Sequence, residues 1–119
     1  MMLVWRGINR LYKAFFYSVD GICACMKSEQ AFRLEIYFSI LLVPMGLWLG
    51  QTHAEKILMI GSVFLVLIVE LVNSAIERVV DRISSERHEL SKEAKDMGSA
   101  AVFLSLVLWA LTWVIILLS

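Results

Sequence analysis

Residues 57–76 read ILMIGSVFLVLIVELVNSAI, and Glu70 is the only charged side chain in this run. At a rise of about 1.5 Å per residue, a helix of this length matches the ~30 Å hydrocarbon core of a bilayer. Two more runs have the same character, AFRLEIYFSILLVPMGLWL at residues 31–49 and SAAVFLSLVLWALTWVIILL at residues 99–118. None of them alternates apolar and polar residues as a membrane β-barrel strand does. The sequence therefore predicts three membrane-spanning helices.

The overall composition supports the same conclusion. Of the 119 residues, 60% are hydrophobic, and the mean hydropathy is +0.76, which excludes an ordinary soluble domain. The 11 basic and 11 acidic residues cancel, so no overall positive field favours a nucleic-acid partner. Cys23 and Cys25 are too few for a zinc site and are interpreted as small apolar fillers. We expect one all-α domain over residues 1–119.

The N-terminal stretch predicts an amphipathic helix that covers about residues 3–27. It lacks the features of a signal peptide, so we expect it to remain on the mature protein. A helical wheel separates apolar from polar positions, as in helices that lie in a membrane interface. The apolar face holds Val4, Ile8, Leu11, Phe15, Val19 and Ile22, and the polar face holds Arg6, Arg10, Lys13, Tyr17 and Asp20. Two roles remain open, a simple anchor or a surface that binds an anionic group.

The basic residues predict the orientation of the spans, whose helices are expected at about 30–49, 56–82 and 95–118. Ten of the 11 basic residues precede or open the first span or lie between the second and third, and only Lys56 lies in the connection between the first two. Under the positive-inside rule, this places the N-terminus in the cytoplasm and the C-terminus outside. Trp109 and Trp113 are expected to be interfacial aromatics near the outer end.

A polar stripe interrupts the second span. Its members are spaced so that they share one helical face, and they are Glu70, Asn73, Ser74, Glu77 and Asp81. Glu70 is about 20 Å along the helix from Ile57, which leaves it inside the hydrocarbon on the cytoplasmic side. An ionised carboxylate costs at least ~2.5 kcal/mol there, so a functional role is the first interpretation and a helix-pairing contact is the alternative.

Glu77 lies about 10.5 Å nearer the cytoplasm than Glu70, at the depth of water-soluble ligands. Glu29 precedes the first span at about the same level. Two carboxylates from neighbouring helices are suited to share a Mg²⁺ ion together with substrate phosphates. For Glu29, an ordinary solvated charge is an equally good interpretation.

Familiar nucleotide motifs are missing from the sequence. It contains no P-loop, no G-x-G-x-x-G and no protein-kinase motif, and Lys92 stands where a zincin motif starting at His88 needs its second histidine. Any phosphate bound here must therefore be bound by side chains.

The segments ELVNSAIERVVDRI at residues 70–83 and SERHELSKEAKDMGSAAV at residues 85–102 resemble the prokaryotic diacylglycerol kinase family. The resemblance extends to EQAFRLE at residues 29–35 and into the amphipathic helix, at Arg10, Lys13, Ala14, Tyr17 and Ser18. The form AKDMGSAAV is more similar to the Gram-negative diacylglycerol kinases than to the Gram-positive undecaprenol kinases of the same fold. The sequence departs from the family pattern at Cys23, Ala24, Cys25, Met26 and Lys56.

This resemblance implies a homotrimeric enzyme of the bacterial inner membrane that uses MgATP to phosphorylate the free hydroxyl of diacylglycerol, giving phosphatidic acid. Glu70 would be the general base, Asn73 would support it, and Glu29 and Glu77 would hold Mg²⁺ between the ATP phosphates. The resemblance also implies a nucleotide site that includes Arg10, Tyr17, Glu29, Glu77, Glu86, His88, Lys95 and Asp96. The lipid substrate would be bordered by Arg10, Ala14, Ser18, Ala31, Phe32, Arg33, Glu35, Trp48, Glu70, Ser99 and Trp113.

Other functions stay open at this stage. They are an undecaprenol kinase, a small proton-coupled transporter and a non-enzymatic assembly subunit that uses Glu70 and Asn73 for helix contacts. We also expect an oligomer, because three spans are too thin a bundle to shield Glu70, Asn73 and Glu77, together with Arg33 and Glu35, from lipid. Small residues such as Gly98 and Ser74 would allow close helix approach, and each site would be shared between chains.

Overall fold

The chain folds into four helices and no strands within the residues that the computed structural model describes, 1–83 and 88–119. The helices are α1 (Met2–Ser28), α2 (Gln30–Leu49), α3 (His53–Ile83) and α4 (Glu89–Leu118). The last three are each long and apolar enough to cross a membrane. The prediction of an all-α membrane protein with three spans and an N-terminal helix is confirmed.

Local capping explains why α3 and α4 begin earlier than the predicted residues 56 and 95. The Thr52 hydroxyl accepts a hydrogen bond of 3.1 Å from the Glu55 amide, and the Glu55 carboxylate accepts one of 3.3 Å from the Gln51 amide. These bonds resemble a capping box, except that the carboxylate accepts from the amide of the residue before the N-cap, and they start α3 at His53. At α4, the His88 ring nitrogen Nδ1 accepts a bond of 3.1 Å from the Leu90 amide and caps the helix at Glu89.

A single residue separates α1 from α2. Glu29 is extended, with φ −114° and ψ 110°, so the helical path stops there and restarts in a new direction. The molecule measures 49 × 48 × 23 Å. Two nearly equal long dimensions require α1 to project sideways from the bundle of α2, α3 and α4. The apolar side chains of α1 are exposed, because the rest of the chain does not cover that face of the helix.

The hydrophobic core lies towards the start of α3 and the end of α4, away from the polar stripe. Met59, Val63 and Trp113 are its buried members. The indole N–H of Trp113 donates a hydrogen bond of 3.1 Å to the backbone carbonyl of Met59. The polar atom of Trp113 thus finds its partner inside the bundle, as a buried indole requires. Gly46 lets α2 approach this core, because a Cβ there would lie 3.3 Å from Ile60 and 3.4 Å from Met59.

Candidate active site

The polar stripe of α3 faces the other helices. Glu70, Asn73 and Ser74 are buried, with exposed fractions of 8%, 8% and 4%, and Glu77 is half-buried. The argument that one chain cannot shield these groups is therefore wrong for Glu70 and Asn73. Packing of α2 and α4 against α3 is sufficient to cover both side chains.

Asn73 connects the two depths of the stripe. Its amide Nδ2 donates a hydrogen bond of 3.2 Å to the carboxylate of Glu77. Its Oδ1 atom is buried and has no hydrogen-bond partner among the residues that the structure describes. On the facing helix α4, Gly98 is buried, and a Cβ at that position would overlap Asn73 Oδ1 and lie 3.1 Å from its Cγ. The absence of a side chain on Gly98 thus allows Asn73 to occupy its present position.

A second carboxyl group meets Glu70 from α2. The carboxyl groups of Glu35 and Glu70 are close enough to interact, and Glu35 Oε2 is buried without a partner in the described part of the chain. Glu35 also lines a cavity of about 600 Å³ between α2, α3 and α4. The other lining residues are apolar and include Ala31, Leu42, Val66, Leu106 and Trp109. The result is an apolar chamber with one carboxyl group, that of Glu35, in its wall.

Glu29 lies at the junction of α1 and α2 and is half-buried. It is close enough for its negative charge to act on Glu70, as is Glu77. The charges of Glu29 and Glu77 therefore both act on the carboxyl group of Glu70. Within 1–83 and 88–119, no group of three His, Cys, Asp or Glu side chains converges to hold a metal ion by itself.

At the same end of the bundle, α4 contributes a cation. Lys95 Nζ forms an ion pair of 2.5 Å with Asp81 Oδ1 of α3, and the charge of Glu77 also acts on Lys95. One turn away, Lys92 and Asp96 pair at 2.7 Å. Lys95 thus lies beside the acidic stripe of its own chain. Glu86, the remaining candidate of this loop, lies outside the described residues.

Arg10 and Tyr17 are not brought to this cluster within one chain. Both lie on α1, with Tyr17 about 18 Å and Arg10 about 28 Å before Glu29 along the helix axis. The structure packs α1 against α2 and α3 through its C-terminal part, where Cys25 Sγ contacts Ser74 Oγ at 3.5 Å. Cys25 is buried and free, which agrees with its interpretation as a filler.

The residues expected to border the lipid occupy several environments. Phe32 and Trp113 are buried, while Trp48 is 82% exposed at the outer end of α2 and Ser99 is exposed on α4. Ala14 and Ser18 lie on α1, where the Ser18 hydroxyl donates to the Ala14 carbonyl at 2.9 Å. Ser18 also lines a smaller cavity of about 360 Å³ between α1 and α3.

Arg33 has a role that the sequence did not suggest. Its guanidinium donates hydrogen bonds of 2.9 Å to the backbone carbonyls of Met26 and Lys27, and so caps the C-terminus of α1. The sequence predicted that Gly98 allows close helix approach, but it did not identify Asn73 of the same chain as the contact. A helical wheel places residues on a face but does not give the register between two helices, so it could not have found these contacts.

Fold and site together define a small helical membrane protein with a cluster of carboxyl groups between its helices. A model of the family described as prokaryotic diacylglycerol kinase matches residues 16–117. Since this match covers most of the chain, the protein belongs to the prokaryotic diacylglycerol kinase family.

Similar proteins in three bacteria support this assignment, and each of them is named diacylglycerol kinase. The protein from Escherichia coli K12 is 50% identical over 113 residues, which cover 95% of this chain and 93% of that protein. The one from Haemophilus influenzae is 49% identical over 107 residues, covering 90% and 91% of the two chains. The one from Pseudomonas aeruginosa is 48% identical over 112 residues, covering 94% and 91%.

Proposed function

We propose that this protein transfers the γ-phosphoryl group of ATP to the free hydroxyl of diacylglycerol, giving phosphatidic acid. One observation carries the proposal, the hydrogen bond from Asn73 to Glu77 next to the buried Glu70. The stripe thereby joins a carboxylate at lipid depth to one at water depth. A lipid hydroxyl just below the headgroups and a nucleotide that stays in water can meet only at such a boundary.

Glu70 acts as the general base in this proposal. A carboxylate in the hydrocarbon can accept the proton of a lipid hydroxyl as that oxygen attacks the γ-phosphorus. The cavity beside Glu35 offers an apolar space for the lipid next to this carboxylate. Ala31 and Glu35 line it, so they are the lipid contacts that the geometry supports best among the candidates on α2.

Glu29 and Glu77 are the proposed magnesium ligands. Mg²⁺ takes one or two protein carboxylates and completes its coordination with phosphate oxygens and water, so two half-buried carboxylates at the water boundary fit this ion. When bound, Mg²⁺ would neutralise negative charge on the phosphate oxygens. Asn73 holds one oxygen of Glu77 in place and leaves the other free for a ligand.

The remaining nucleotide contacts come from the cytoplasmic ends of α3 and α4 and from α1. Lys95 provides a positive charge beside Glu77, which suits it to a phosphate oxygen. His88 caps the N-terminus of α4, and Asp96 lies about two turns into the same helix. Glu86, Arg10 and Tyr17 are proposed on the family resemblance alone.

The test of the proposed function is transfer of radiolabel from ATP to lipid by the purified protein in one detergent. We expect labelled phosphatidic acid with diacylglycerol and much less product with undecaprenol. A preference for undecaprenol would instead make the protein an undecaprenol kinase of the same fold. Absence of labelled product from both lipids would reject a lipid kinase and favour the transporter hypothesis.

We place the N-terminus and the loop between α3 and α4 in the cytoplasm, in the inner membrane of the bacterium, with the C-terminus in the periplasm. This orientation gives the active site access to ATP and agrees with the distribution of basic residues. A membrane-impermeant thiol reagent added to intact cells should label a cysteine introduced at Gln51 or Thr52 and should not label one introduced at Ser91. The reverse pattern would separate the site from ATP.

We infer that the working unit is a homotrimer with sites shared between chains. Within one chain, Arg10 is about 28 Å from Glu29 along α1, so a neighbouring copy is the better source of Arg10 for each nucleotide. Ala75, Ala100 and Ala101 are exposed small residues that allow a second copy to approach closely.

Mixing two inactive variants tests this sharing. Glu70→Gln and Arg10→Gln, combined after subunit exchange, should recover up to about a quarter of the wild-type activity, because random assembly rebuilds some complete sites. Exchange of tagged wild-type chains serves as the control that mixing occurs. Activity no higher than that of either variant alone, with exchange complete, would place each site within one chain.

A further inference from the structure

Two arginines from different helices converge on the last turn of α1. Arg33 of α2 donates to the carbonyls of Met26 and Lys27, each at 2.9 Å. From α3, Arg78 donates to the carbonyl of Ala24 at 3.3 Å and to the hydroxyl of Ser28. The Ser28 hydroxyl itself donates to the Ala24 carbonyl at 3.0 Å, which closes the network.

This network lies immediately before Glu29. Because Glu29 is the only residue between α1 and α2, its position depends on where the last turn of α1 is held. Its backbone is already fixed on both sides, since its amide bonds to the Cys25 carbonyl at 2.9 Å and its carbonyl accepts from the Arg33 amide at 3.2 Å. Glu29 is therefore bonded directly to the last turn of α1.

Arg78 also follows Glu77 directly on α3. The side chain that holds α1 and the proposed magnesium ligand of α3 thus come from neighbouring positions of one rigid helix. Holding α1 to this point fixes the separation between Glu29 and Glu77, which lie on different helices. Arg33 alone cannot do so, because among the described residues its side-chain bonds connect α1 to α2 and not to α3.

We propose that Arg78 is a positioning residue that holds the last turn of α1 on α3 and thereby sets Glu29 opposite Glu77. The proposal rests on the proposed function, in which these two carboxylates bind the magnesium that accompanies ATP. A cation near the C-terminus of a helix is also favoured by the helix dipole, so the arrangement is stabilising for α1 itself.

The first test is a magnesium titration of diacylglycerol phosphorylation by Arg78→Gln. Loss of a bond from a charged group should raise the Mg²⁺ concentration at half-maximal rate by about tenfold, in the same direction as Glu29→Gln. The KM for diacylglycerol should not change, since Arg78 does not line the cavity of about 600 Å³ beside Glu35. Arg78→Lys should restore the wild-type titration to within about twofold, because an ammonium can reach the same acceptors.

Arg82→Gln is the matched control, since it removes the same charge one turn further along α3 and should leave the titration unchanged. The second measurement is independent of activity: hydrogen exchange of residues 20–30 in lipid nanodiscs should accelerate in Arg78→Gln and stay at the wild-type rate in Arg82→Gln.

Faster exchange without a change in Mg²⁺ dependence would mean that Arg78 only stabilises α1, and it would overturn the proposal. An equal shift of the Mg²⁺ titration in Arg82→Gln would mean that the effect comes only from the lost positive charge. This result would also overturn the proposal. Failure of the proposed function is distinguished from both outcomes, because the wild-type protein would then form no phosphatidic acid at any magnesium concentration.

Discussion

Glu70→Gln should reduce the rate of phosphatidic acid formation by about 10²–10⁴-fold, the usual effect of losing a general base. Glutamine has nearly the same shape as glutamate, but its amide cannot accept the proton of the lipid hydroxyl. The side chain remains buried in the same packing of α2 and α4 against α3, so we expect the fold to be retained. The measurement is kcat with saturating MgATP and diacylglycerol.

A matched substitution separates this effect from a general response to changing a carboxylate on α3. Glu55→Gln lies at the opposite end of the same helix, where glutamine can still complete the capping arrangement with Thr52. Its rate should equal that of the wild type. If Glu70→Gln retained activity within about threefold of the wild type while folding normally, Glu70 would be a structural helix contact.

The sequence was sufficient to predict the elements of this protein and the stripe that contains its candidate site. Apolar runs of bilayer length gave α2, α3 and α4, because in lipid each backbone polar group must be satisfied within a helix. The spacing of Glu70, Asn73 and Glu77 placed them on one face of α3, and the structure joins the last two by a hydrogen bond.

Contacts between helices could not be predicted in this way. Lys95 pairs with Asp81, and Trp113 bonds to the carbonyl of Met59, because of the register at which α4 lies on α3. A helical period gives the direction of a side chain on its own helix and carries no information about the axial shift of the partner. Trp113 was predicted at the membrane interface because the sequence shows only that it lies near the end of an apolar run.

Gly98 is the clearest case of a site feature that only the register defines. Gly98→Ala should reduce activity by about 10²-fold, because the new methyl group would occupy the position of Asn73 Oδ1 and displace an amide that holds Glu77. The Asn73 amide would have to turn away from its present position, because its Oδ1 is the atom that the new methyl group would overlap. Overpacking of this kind also costs about 1–3 kcal/mol of stability.

Gly61→Ala provides the control, since a Cβ at Gly61 has open space around it and alanine is favoured over glycine within a helix. It should leave the rate unchanged and raise the stability slightly, measured by thermal unfolding in the same detergent. The double variant Asn73→Ala with Gly98→Ala should be no less active than Asn73→Ala alone, because both substitutions act through one amide. A further loss in the double variant would show that Gly98 influences the rate through a different contact of α4.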